Sequence, residues 1–112
     1  MNKRLILLFT ILAMLLLALL GIAIFLHGTR PHRVQLIWQA PPPMGGVAVA
    51  SYNVYRSTSP GGPYVLIASH VSNLAYTDTL VNNRKTYYYV VTSVDQRGRE
   101  SRYSVETRAV IP

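Results

Sequence analysis

The sequence predicts an all-β fold, an antiparallel sandwich preceded by one transmembrane α-helix. Three observations carry this reading. An apolar, uncharged run from Leu5 to Leu26 gives way to period-two alternation at Val34. Six short strand patterns then follow at close spacing, separated by Asn, Gly, Ser and Pro, with no amphipathic helical pattern among them. At 112 residues, 50% hydrophobic and 13% charged, the chain has room for one core and one further element.

Residues 1–26 comprise a basic start, Asn2-Lys3-Arg4, and an apolar stretch broken only by Thr10 and Gly21. As a helix, Leu5 to Leu26 would extend about 33 Å, against a hydrocarbon core of about 30 Å. A cleaved signal is the competing reading, with Gly21-Ile22-Ala23 as its small-residue site. The run is longer than an ordinary signal core, however, and Ile24-Phe25-Leu26 carries it past that site. An uncleaved anchor is therefore expected. Lys3 and Arg4 on one side nearly balance Arg30 and Arg33 on the other, so the charge count orients the span weakly. The domain is placed on the extracytoplasmic side. With no cysteine, neither an acylation site nor a disulfide framework is available.

Residues 27–32 read as a polar linker, and residues 33–112 as the β domain. In the first strand Val34, Leu36 and Trp38 alternate with Gln35, Ile37 and Gln39 until Pro41–Pro43 end it. The loop "APPPMGGVAVA" (40–50) leads to a strand at Ser51–Arg56, with Tyr52 and Val54 on one face, and "STSPGGP" (57–63) reads as a turn. Further strands are expected at Tyr64–Ala68, around Ala75–Asp78, at Thr86–Asp95 and at Tyr103–Ile111.

The motifs "VQLIW", "SYNVYRS", "GGPY", "YTDT", "TYYYVVTSVD" and "GRES" stand in an order that resembles a fibronectin type III domain over residues 33–112. The resemblance implies an immunoglobulin-like antiparallel sandwich. It makes Tyr87 a tyrosine-corner residue, its hydroxyl bonded to a backbone group of the preceding turn. Tyr89, Val91 and Ser93 would share its inward face, while Tyr88, Val90, Thr92 and Val94 would point outward. Val34, Leu36, Trp38, Tyr52, Val54, Tyr76, Tyr87, Tyr89 and Val91 would form the core. It also implies a non-catalytic module for binding or spacing.

Two departures from that family's pattern matter. Asn82-Asn83-Arg84 stands where the turn before the tyrosine corner carries a glycine, so a rearranged or mildly strained turn is expected. The family's first strand would fall in the membrane segment, so it is missing or short. The family's second strand, here Val34–Trp38, then becomes an edge open to strand pairing. The chain would also enter at the membrane-facing end, where Arg30, Arg33, Arg84 and Lys85 form a basic collar toward lipid headgroups. At the opposite tip, Met44 and Val47 would lie beside Arg97, Arg99 and Arg102, gathered around Glu100, as a candidate surface for a protein or glycan partner. "RGR" is not the adhesive Arg-Gly-Asp tripeptide.

Other function classes fit poorly. The +7 charge and pI near 10.2 are divided between the two ends and the N-terminus, which is a poor footprint for nucleic acid. His27, His32 and His70 form no catalytic constellation with Asp78, Asp95, Glu100 and Glu106, and two histidines five apart make a weak metal site. No enzyme, metal or cofactor is expected. The remaining alternatives are a pilin-like filament subunit with its helix in a fibre core and a cleaved, secreted accessory domain.

Overall fold

The computed structural model describes residues 31–42 and 45–112. The expected anchor (1–26), most of the linker and Arg30 lie outside the described residues. Among the described residues no helix is long and apolar enough to cross a membrane.

Six strands form two antiparallel sheets: β1 (Val34–Ile37), β2 (Val49–Ser57), β3 (Val65–Val71), β4 (Ala75–Asp78), β5 (Thr86–Asp95) and β6 (Thr107–Val110). β1 pairs with β4, and the larger sheet has the order β3-β2-β5-β6. The pleat of each strand sends alternate side chains between the sheets. Leu36 from β1, Val54 from β2, and Tyr87 and Tyr89 from β5 meet there with Ile111, all buried. Tyr52 is also buried, and it meets the partly buried Trp38 edge to face, ring centroids 5.5 Å apart. Val34, Tyr76 and Val91 are partly buried against the same cluster.

The outer face of the larger sheet departs from simple alternation. Val90 and Thr92, expected to face outward into solvent, are buried, with exposures of 1% and 2%. The cause is the segment after β5. Residues 101–106, expected to be strand from Tyr103 on, run beside β5 without a regular ladder. Ser101 and Ser104 donate their backbone N–H groups to the carbonyls of Ser93 and Val91, and their hydroxyls accept the N–H groups of those same two residues. These side-chain bonds substitute for strand pairing, and β6 begins only at Thr107. Tyr103 then packs edge to face on Tyr55 at 5.2 Å and Tyr64 at 5.0 Å. The opposed pairs Tyr55–Val90 and Asn53–Thr92 lie on this face.

β3 is an outer strand of the larger sheet and is doubly irregular. Its register against β2 slips between Tyr52 and Val54 and again between Val54 and Tyr55. Near the first slip His70 takes a left-handed conformation (φ 57°). Bulges of this kind make an edge a poor template for further pairing. β1 has β4 as its only strand partner among the described residues. Residues 31–33 form no strand.

Candidate functional site

The two loops expected at the tip do meet. Asp95 ends β5 by accepting backbone N–H bonds from Arg97 and Arg99 on one carboxylate oxygen, both at 2.9 Å, and the Arg99 guanidinium on the other at 2.7 Å. The Gly98 N–H closes the turn on the Asp95 carbonyl at 2.9 Å, and Gly98 supplies the positive φ of 81° that the turn requires. The Arg99 N–H first, then its guanidinium and the Arg97 N–H, hold the Asp95 carboxyl below its ordinary range. The Gln96 N–H reaches the Ala48 carbonyl at 3.2 Å, tying this turn to the Pro/Gly loop.

Between the loops lies an open cleft of about 530 Å³ whose walls include Pro41, Pro42, Val47, Val49, Arg97 and Arg99. Met44 lies outside the described residues. The charge arrangement differs from the expected cluster. Asp95, not Glu100, is the partner of Arg99, while Arg97 and Arg102 have no carboxylate partner among the described residues. Arg102 lines two neighbouring depressions rather than this cleft.

Glu100 turns away onto the outer sheet face. One of its oxygens accepts the Thr92 hydroxyl at 2.6 Å, the Tyr55 hydroxyl, and the Asn53 amide at 3.1 Å. The Thr92 bond first, then those of Tyr55 and Asn53, keep Glu100 ionised below the usual carboxylate range. Glu106 is held the same way by the Tyr64 hydroxyl and the Gly61 N–H. Nothing in the sequence marked these carboxylates as sheet-face residues, because each partner is more than forty residues away except Thr92.

At the opposite pole Arg33, Arg84 and Lys85 are exposed. The Arg84 N–H bonds the Pro112 carbonyl at 3.1 Å, and the Ile111 N–H bonds the Lys85 carbonyl at 2.8 Å, which brings the last residues to the same end. Arg56, at the same end, is taken up internally. Its guanidinium meets Asp78 and the Leu80 carbonyl, both at 2.9 Å, and lies 5.1 Å from the centre of the Tyr87 ring. His70 is exposed beside Ser69, and His32 is half-buried. Among the described residues no three His, Cys, Asp or Glu side chains are grouped to hold a metal.

No family model matches the chain. Fifty-nine residues are 54% identical to part of an amylopullulanase of Thermoanaerobacter thermohydrosulfuricus, covering 53% of this chain and 4% of that protein. A similar stretch of 58 residues is 45% identical to an amylopullulanase of Thermoanaerobacterium saccharolyticum, again 4% of its length. The chain thus corresponds to a small fraction of either protein. The crystal structure of an Fn3-like protein from Clostridium thermocellum superposes with a TM-score of 0.64 and 39% identity, covering 76% of this chain and 82% of that one. With that identity across most of a protein of comparable size, the chain belongs to the fibronectin type III family.

Proposed function

We propose that the chain is a non-catalytic fibronectin type III module, held at a membrane by its apolar segment 5–26 with the sandwich on the extracytoplasmic side. The module presents its tip to a protein or glycan and spaces that contact from the lipid surface. The observation that supports an accessory role most strongly is the scale of the amylopullulanase match, 4% of each enzyme. A glycan context is favoured by the same enzymes, whose name refers to pullulan. The apolar run supports the anchor, and the exposed Arg33, Arg84 and Lys85 at the entry end suit anionic headgroups.

At the tip, Arg97 has no carboxylate partner among the described residues, and Val47 is one of the apolar wall residues. Charge reversal there tests the role directly. The full-length protein is extracted from its native membrane in mild detergent and its bound partners compared with those of Arg97→Glu and Val47→Asp. Loss of a partner in both variants is the expected outcome. A partner retained undiminished by both overturns the tip assignment.

A further inference from the structure

We propose a second binding site, for a neutral polysaccharide, on the outer face of the larger sheet around Tyr103, Glu100 and Arg102. A shallow, open depression there is lined by Tyr55, Thr92, Glu100, Ser101, Arg102 and Tyr103. The depression shares Glu100 and Ser101 with the tip cleft, but Arg97 and Val47 line only the cleft and Tyr103 only the depression, so substitutions separate the two.

Four features make the depression a prepared site rather than a solvated patch. First, Glu100 is fixed before any ligand arrives. All three of its side-chain bonds, from Thr92, Tyr55 and Asn53, converge on one oxygen. The second oxygen receives no side-chain donor among the described residues and is left to accept hydroxyls. Second, Tyr103 is 51% exposed although it is braced edge to face by both Tyr55 and Tyr64. A large apolar surface is therefore held outward at little entropic cost on binding. Third, Arg102 has no carboxylate partner among the described residues and carries donors that no proton loss removes. Fourth, residues 101–104 are stitched to β5 by serine hydroxyls and backbone bonds, so the wall bearing Tyr103 and Arg102 is fixed.

The chemistry selects the ligand class. One carboxylate and one guanidinium lie on the same small surface, so a polyanion meets Glu100 and a polycation meets Arg102, each at a cost. A peptide gains little from a sheet face, since β-pairing uses edges. A neutral sugar chain fits all three groups: hydroxyls donate to Glu100, other hydroxyls accept from Arg102, and an apolar C–H surface packs on Tyr103.

The test is depletion of the full-length protein, in a detergent without a sugar headgroup, by cross-linked pullulan beads over a concentration series. Wild type is expected to bind. Tyr103→Ala and Arg102→Met should each weaken binding at least about tenfold, Tyr103→Phe should retain it, and Arg97→Glu should leave it unchanged. Heat unfolding of each variant checks the fold. If Tyr103→Ala unfolds, Arg102→Met and Tyr103→Phe decide. Failure of wild type to bind, or binding that Arg102→Met leaves within about twofold, overturns the site. Loss in Arg97→Glu alone overturns it too, moving the sugar to the tip.

Discussion

Asn82 donates its backbone N–H to the Tyr87 hydroxyl at 2.9 Å, while the Tyr87 ring lies in the core with 4% exposure. The phenol thus satisfies its polar end at the sandwich rim. Tyr87→Phe keeps the ring but removes the acceptor, and should cost about 1 to 3 kcal/mol in urea unfolding. Two residues on from Asn82, Arg84 holds a left-handed backbone (φ 56°), which costs a side-chain-bearing residue about 1 to 2 kcal/mol. Glycine removes that cost but gives part of it back as chain entropy in the unfolded state. Arg84→Gly should therefore stabilise the domain by up to about 1 kcal/mol, whereas Arg84→Ala should change it little, both read from the same denaturation curves. The strained turn was legible from Asn82-Asn83-Arg84 because its residue types conflict with the conformation that the resemblance implied. The bulge at His70 was not legible. No glycine or asparagine marks it, and it arises from β3 slipping against β2.

At the scale of elements, a polar clasp joins the two sheets. Asp78 of β4 is 3% exposed and accepts the Arg56 guanidinium from β2 at 2.9 Å and the Tyr89 hydroxyl from β5 at 2.7 Å. Burial pushes the Asp78 carboxyl up, but the bonds from Tyr89, Arg56 and the Leu80 N–H outweigh it, and it ends below its ordinary range. Removing one member strands the others. Asp78→Ala should cost about 2 to 4 kcal/mol, somewhat less than a fully buried pair because Arg56 keeps some solvent contact. Arg99→Ala breaks the other ion pair, but Arg99 is 61% exposed and the cost should stay under about 1 kcal/mol. A double set of thermal melts separates the two. β5 was readable to its ends and β4 in its position, because turn signals bracket both. The start of β6 was not, because "SRYSVE" alternates acceptably yet its serines bond β5 through side chains. The same segment covers Val90 and Thr92. Period-two patterning has no means of anticipating a non-strand cover.

For the molecule as a whole, the titrating groups define a stability window. Asp78, Asp95, Glu100 and Glu106 are all held below their ordinary values. Their contribution is present above the ordinary carboxylate range and is lost as pH falls through the folded values. Tyr64 is pushed up to about 12 by its bond to Glu106, and Tyr89 is raised by burial and by Asp78. These contributions are present below the ordinary phenol value near 10 and are lost as pH rises through the folded ones. Stability should be nearly flat from about pH 5 to 9 and fall on both sides, as a pH series of thermal midpoints would record. The two poles were legible in outline. Strand alternation alone brings Arg33, Arg84 and Lys85 to one end and loop 40–50 beside Asp95–Arg99 at the other. The pairing of Arg99 with Asp95 instead of Glu100 was not, since it depends on a turn geometry that residue types leave open.

The tethered-module reading is tested most directly by following the full-length chain in intact cells that make it, with protease added outside and the membranes then washed in alkaline carbonate. The expected result is that protease removes the sandwich without permeabilisation and that, in untreated cells, the whole chain stays in the washed membrane pellet. A chain released into the wash, or a sandwich that protease reaches only after the membrane is opened, would contradict it.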